Sequence, residues 1–118
     1  MDIESCRHYC LSKKGTTEEQ PFGPDALVYK VQGKIYALLG LDQYPLKISL
    51  KCNPEMAVEL RAIYDGKIIE AYHMNKKHWN SLEYEFLPPE VTTELIDHSY
   101  DLVVKGLSRK QQQELYNL

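Results

Sequence analysis

A dense group of polar and aromatic side chains lies between residues 73 and 79. It holds two histidines, two lysines, one amide and the single tryptophan of the chain, namely His73, Asn75, Lys76, Lys77, His78 and Trp79. Lysine neutralises phosphate, an amide can position or read a base, and histidine and tryptophan rings can stack on one. The segment is therefore predicted to bind nucleic acid. The alternative interpretation is a solvated turn at Lys76 and Lys77, followed by a tryptophan at the edge of the core.

Metal binding and nucleophilic catalysis are two other chemistries to weigh. His73 and His78 lie five residues apart and Cys52 could join them, but no second cysteine pair or carboxylate completes a zinc set at a recognised spacing. Cys52 beside a histidine could act as a nucleophile, yet the sequence has no nucleophile elbow, phosphate loop or paired-carboxylate motif. We therefore expect no metal, no cofactor and no enzyme activity.

The charge balance restricts the partners. The net charge is −3, but residues 30–77 carry eight basic and five acidic groups, while the segments on either side are acidic. A strong nonspecific polyanion binder would have a high pI and a dense basic patch, so only a local site is expected. Two functions remain open: weak, salt-dependent DNA binding, or a protein-interaction module that uses the same exposed residues.

Length and composition favour one small cytoplasmic domain over residues 1–118. The 118 residues suffice for one core, and the hydrophobic and charged fractions of 43% and 26% are typical of globular proteins. No apolar run approaches the roughly 18–20 residues of a membrane span, and the first residues lack the features of a signal peptide. The three cysteines are expected to be reduced thiols, and no membrane partner is expected.

Hydrophobic periodicity and turn residues predict the order of elements. Four helices are expected. The first covers residues 2–13, and the second begins at Pro54 after an Asn53 cap. The third runs from Pro88-Pro89 to Gly106, and the fourth begins at a capping box formed by Ser108 and Gln111. Strands are expected at 26–31 and 34–39, joined by a tight Gln32-Gly33 hairpin, and at 46–51, 67–72 and 80–86, with a loop at 16–25. This order predicts an α+β two-layer sandwich, an antiparallel sheet with helices on one face.

The alternation within residues 46–51 predicts which side chains leave the core. Lys47, Ser49 and Lys51 should point away from Leu46, Ile48 and Leu50, which adds Lys47 and Lys51 to the candidate nucleic-acid site. Glutamates at 83 and 85 could instead pair with these lysines across the sheet, which would leave a merely solvated face. Residues from two of the predicted helices are expected to pack on the sheet and form the core: Leu60 and Ile63 from one, and Leu95, Ile96, Leu102 and Val103 from the other.

Four segments together resemble the MmcQ/YjbR family in their order and spacing. They are Pro21-Phe22-Gly23-Pro24, residues 50–54, residues 72–80 and residues 99–103, of which 72–80 is the most specific. The resemblance implies a frataxin-like (CyaY-like) fold, which agrees with the order read from periodicity. It also implies the family's label, a DNA-binding protein with a double-wing arrangement.

Overall fold

The fold is known from a computed structural model that describes residues 1–72 and 74–118. Four α-helices, six strands and one 3-10 turn occur within these residues. In chain order they are α1 (Ile3–Leu11), β1 (Thr16–Glu19), β2 (Ala26–Val31), β3 (Lys34–Gly40), β4 (Ile48–Lys51), α2 (Pro54–Ile63), β5 (Ile68–Glu70), β6 (Trp79–Leu82), the 3-10 turn (Tyr84–Phe86), α3 (Pro89–Lys105) and α4 (Arg109–Tyr116).

The six strands form one antiparallel sheet in the order β1-β2-β3-β4-β6-β5. Gly33, at φ +76°, follows Gln32 in the β2–β3 hairpin, as the sequence predicts. The helix starts also follow their sequence signals. Asn53 accepts a hydrogen bond from the Glu55 N–H, and Ser108 and Gln111 form the expected capping box.

One face of the sheet, the inner face, packs against α1, α2 and α3. A row of aligned residues crosses it from β2 to β5: Leu27, Leu39, Ile48, Leu82 and Ile68, all at most 8% exposed. The helices add buried residues such as Cys6, Ile96 and Leu115, while Leu60 of α2 is partly buried against the same core. The predicted two-layer α+β sandwich is confirmed.

The opposite face of the sheet, the outer face, carries the alternate residues. Because side chains alternate along a strand, the neighbouring aligned row points outward: Val28, Leu38, Ser49, Ser81 and Ile69. The Ser49 and Ser81 hydroxyls lie 2.8 Å apart across the β4–β6 pair. This face is the floor of a groove described below.

Three local predictions are corrected. Residues 16–19 form the edge strand β1 inside the predicted loop, and β4 begins at Ile48, so Lys47 precedes it. The predicted strand 80–86 ends at Leu82, because the chain then turns towards α3 and the 3-10 turn buries Tyr84 in the core. Glu83 and Glu85 consequently lie beyond the strand, and in the described part of the chain neither forms an ion pair with Lys47 or Lys51.

The predicted core needs one correction. Leu95, Ile96 and Val103 are buried, and Leu102 and Leu60 are partly buried, but Ile63 is 68% exposed at the end of α2. This helix lies over the β5–β6 edge of the sheet and buries a narrower stripe than its sequence suggests. In the described part of the chain, no helix has the length and apolar character needed to cross a membrane.

Candidate functional site

The turn before β6 displays the two lysines of the chemically dense segment. Lys76 and Lys77 are both exposed, as predicted. The Asn75 side chain shapes this turn, because its Oδ1 accepts a hydrogen bond from the Lys77 N–H at 2.9 Å. The His78 N–H donates to the Asn75 carbonyl at 3.1 Å, which closes the turn. His73 lies outside the described residues.

The two lysines share a shallow recess with an arginine from α2. Lys76, Lys77 and Arg61 line a space of about 470 Å³ beside the first turns of α2, together with Glu55 and Glu70. We call this space the basic recess. Three cations and two carboxylates leave it with a small positive excess. The sequence analysis missed Arg61, because the residue lies on a helix 15 positions before Lys76 and only the tertiary fold brings them together.

Arg61 is held in place by a buried amide of β6. Its Nη1 donates to Asn80 Oδ1 at 2.7 Å, and Asn80 Nδ2 donates to the Ala57 carbonyl of α2 at 3.2 Å. The Asn80 amide therefore connects α2 to β6 through hydrogen bonds. Asn80 is only 2% exposed, and burial strengthens hydrogen bonds whose partners are all satisfied. The position of one cation in the recess is therefore fixed by the core.

The other predicted site residues are more dispersed. Trp79 is 9% exposed and pairs with Lys51 across the β4–β6 ladder, so its interpretation as a core-edge residue is confirmed and little of its ring is accessible for a base. Lys51 and His78 are partly buried, and the His78 carbonyl accepts from the Cys52 N–H at 2.7 Å. Neither Lys51 nor His78 lines the basic recess.

Lys47 lines a second and larger depression on the outer face. This outer groove has a volume of about 950 Å³ and crosses the strands from β2 to β5. Its floor includes Leu38, Ser49 and Ser81, while its walls come from the loops after β1, before β4 and after β5. No local pattern in the sequence could indicate it, because its lining residues are spread from position 22 to position 81.

The three thiols lie in the interior. Cys6 and Cys10 are fully buried and Cys52 is 4% exposed. Burial raises the pKa of the Cys6 thiol to about 12, and it also raises the pKa of Cys10 and Cys52. Such thiols remain protonated near neutral pH and are poor nucleophiles and metal ligands. Among residues 1–72 and 74–118, no group of three or more His, Cys, Asp or Glu side chains could hold a metal ion.

The architecture is that of a small α+β domain with two solvent-facing depressions, and sequence comparison gives its family. The family model described as YjbR matches residues 11–102. The chain therefore belongs to the YjbR family, and the resemblance found in the sequence is confirmed.

Relatives and solved structures agree with this assignment. The uncharacterized protein YbdF of Escherichia coli O157:H7 is 38% identical over 96 residues, which cover 80% of this chain and 78% of YbdF. The uncharacterized protein YjbR of Escherichia coli K12 is 28% identical over the full length of both chains.

Crystal structures of similar proteins have the same fold. The Deinococcus radiodurans protein DR2400, a DUF419 domain, has 36% identity and a TM-score of 0.88 over 96% of this chain and 86% of its own. A Pseudomonas syringae protein has 30% identity and a TM-score of 0.75 over 86% of this chain and 98% of its own. The frataxin-like fold name and the DNA-binding label stay predictions.

Proposed function

We propose that this domain binds DNA weakly through the phosphate backbone, with Lys76, Lys77 and Arg61 of the basic recess as the contacts. The observation that carries the proposal is the convergence of three cations on one surface, two of them exposed. Phosphate contacts from lysine and arginine supply the sequence-independent part of DNA binding. A binding role without catalysis also agrees with the buried thiols.

The carboxylates of the recess limit the strength of this binding. Glu55 and Glu70 line the same space and offset two of the three cations, and the whole chain carries a net charge of −3. Binding should therefore be local, weak and steeply dependent on salt. Sequence preference should be small, because Asn75 already uses its side-chain oxygen within the turn and Trp79 is largely covered.

The proposal is tested by the fluorescence anisotropy of short labelled single- and double-stranded DNA across a salt series. Replacing Lys76 and Lys77 by Ala should weaken binding to all sequences alike and lower the slope of log affinity against log salt by up to about two units, roughly one per lost phosphate contact. Exposed lysines outside the recess, Lys105 and Lys110, provide a control pair with the same change in net charge.

The alternative is a protein partner that uses the same surface. It would be favoured if the parent protein bound no DNA at low salt, or if replacing Lys76 and Lys77 left the salt slope unchanged. A mixed protein interface need not weaken steeply with salt, so the same salt series separates the two functions.

A further inference from the structure

The outer groove has the dimensions of an extended peptide. It crosses five neighbouring strands, β2, β3, β4, β6 and β5. Strands lie about 4.8 Å apart, so four spacings give a length of about 19 Å, which an extended chain covers in about six residues at about 3.3 Å per residue. A chain in the groove would run across the strands, so side-chain contacts rather than sheet extension would decide its affinity.

The ends of the groove are formed by two of the segments that carry the family resemblance. Phe22, from the Pro21–Pro24 segment, stands at one end and is 64% exposed. Tyr72 and Met74, from the 72–80 segment, stand at the other, with Tyr72 81% exposed. Aromatic and methionine side chains are enriched where proteins bind proteins, and the faces of aromatic rings also attract cations.

The floor offers apolar contact with a few polar groups. Leu38 and Ile69 lie on either side of the Ser49–Ser81 hydroxyl pair. A hydroxyl donates once and accepts twice, so this pair retains capacity for hydrogen bonds to a ligand. Ile69 is 39% exposed, which leaves apolar surface in the groove for a partner to cover.

The charges of the groove indicate the sign of its occupant. Among the described residues, Asp25, Asp42 and Glu70 line it with a single ammonium, that of Lys47. The groove therefore carries an excess of negative charge, whereas the basic recess carries a small excess of positive charge. A polyanion is disfavoured in the groove, whereas a segment with lysine or arginine is attracted.

We propose that the outer groove docks an extended peptide segment of a partner protein, one that carries lysine or arginine beside apolar side chains. The apolar side chains lie on Leu38 and Ile69. The cations face the carboxylates and the exposed aromatic rings. This site is separate from the proposed DNA contact, although Glu70 lines both depressions.

The test begins with a displayed library of random peptides, each about eight residues long so that it exceeds the roughly 19 Å span, selected on the full chain. Selected peptides should be enriched in lysine or arginine next to apolar residues. Labelled copies of the selected peptides are then titrated by fluorescence anisotropy.

One pair of variants tests the location of the peptide. Ile69→Arg should weaken binding about tenfold or more, because it places a cation among the apolar contacts and opposes the peptide charge. Ile63→Arg makes the same change at a residue of α2 that is 68% exposed and outside the groove, and it should leave affinity unchanged. Circular dichroism and denaturation verify that both variants fold.

A second pair of variants tests the charge. The double variant Asp25→Asn, Asp42→Asn should weaken peptide binding and reduce its salt dependence. The control is the double variant Asp101→Asn, Glu114→Gln, which changes the net charge equally at exposed positions outside the groove. It should leave peptide binding unchanged. Replacing Lys76 and Lys77 by Ala should not weaken peptide binding, which separates this test from that of DNA binding.

Four outcomes would overturn the proposal: no enrichment above background, selection of acidic peptides, equal affinities for the Ile69→Arg and Ile63→Arg variants, or a parent dimer that Ile69→Arg dissociates. The last outcome would assign the groove to a second copy of the chain.

Discussion

Ser99 of α3 is fully buried, and its hydroxyl joins two neighbouring strands. It donates to the Tyr36 carbonyl of β3 at 2.6 Å and accepts from the Lys51 N–H of β4 at 2.9 Å. A buried backbone group without a partner costs about 1–3 kcal/mol, so this side chain completes the hydrogen bonding where α3 crosses the sheet. The sequence alone could not identify these two partners, because they lie 48 and 63 positions away on β4 and β3.

Replacing Ser99 by Ala should lower the free energy of unfolding by about 1–3 kcal/mol, because the buried Tyr36 carbonyl and the partly buried Lys51 N–H each lose a partner. Chemical denaturation measures the loss. Glu94→Ala, at an exposed position on the same helix, should stay within about 0.5 kcal/mol of the parent. Similar values for the two variants would mean that the buried hydroxyl contributes little.

Residue identity predicted the exposure of Lys76 and Lys77 because a charged ammonium is rarely buried without a partner. The same argument could not reveal Arg61 as their neighbour, since that contact depends on how α2 lies over β6. The accessibility of the Trp79 ring for stacking could not be predicted from the sequence either. A lone tryptophan before a strand suits both a core edge and a binding surface, and packing decides between them.

At the scale of elements, β1 shows where periodicity fails. Its inward residues, Thr16 and Glu18, are polar, so residues 16–19 lack the alternation that identified β2 to β4. Their inward side chains are satisfied by tertiary partners instead. Thr16 Oγ1 lies 2.9 Å from the Tyr36 hydroxyl, and Glu18 accepts from Arg7 and Tyr29. Only the β-branched pair Thr16-Thr17 hints at a strand in the sequence.

Helix α2 provides an element-scale prediction. Leu60 is partly buried against the core while Ile63 is 68% exposed, although periodicity places both on one apolar stripe. Leu60→Ala should cost about 1–2 kcal/mol, below the 2–5 typical of a fully buried leucine. Ile63→Ala should change stability by no more than about 0.5 kcal/mol. Denaturant titration compares the free energies of unfolding of the two variants. Equal losses of stability would contradict the observed orientation of α2.

At the scale of the whole molecule, the sequence predicted the two layers, the family and most helix boundaries, because period-two alternation and capping residues are local signals. The two depressions could not be predicted in the same way. The outer groove unites residues from five strands and three loops, and the basic recess unites a helix with a turn. Such sites exist only after the sheet has assembled.

The response of the domain to acid is a prediction at this scale. Glu18 of β1 accepts hydrogen bonds from Arg7 of α1 and Tyr29 of β2. These hydrogen bonds, above all those from Arg7, hold the pKa of Glu18 below its ordinary value. A lowered folded-state pKa stabilises the fold above the unfolded value of about 4.3, and this contribution disappears as the pH falls through the folded value.

Glu18→Gln should therefore reduce the free energy of unfolding at neutral pH by about 1–3 kcal/mol, as expected for hydrogen bonds to a charged group. The difference from the parent should shrink as the pH falls below about 4.3. Urea titrations at several pH values measure it, with the exposed Glu94→Gln variant as control. A difference that grows in acid would show that the carboxylate is not stabilised by its partners.

The two outermost strands also bear on how readily the sheet could add strands of another chain. An open sheet edge presents unpaired backbone groups on which another chain can add, and this sheet ends at β1 and β5. β5 has only three residues, and β1 has four, with two glutamates and a Glu19–Lys30 ion pair beside the edge. Short, charged borders are poor templates for fibril growth, so a sheet can keep one face open for partners without polymerising along its sides.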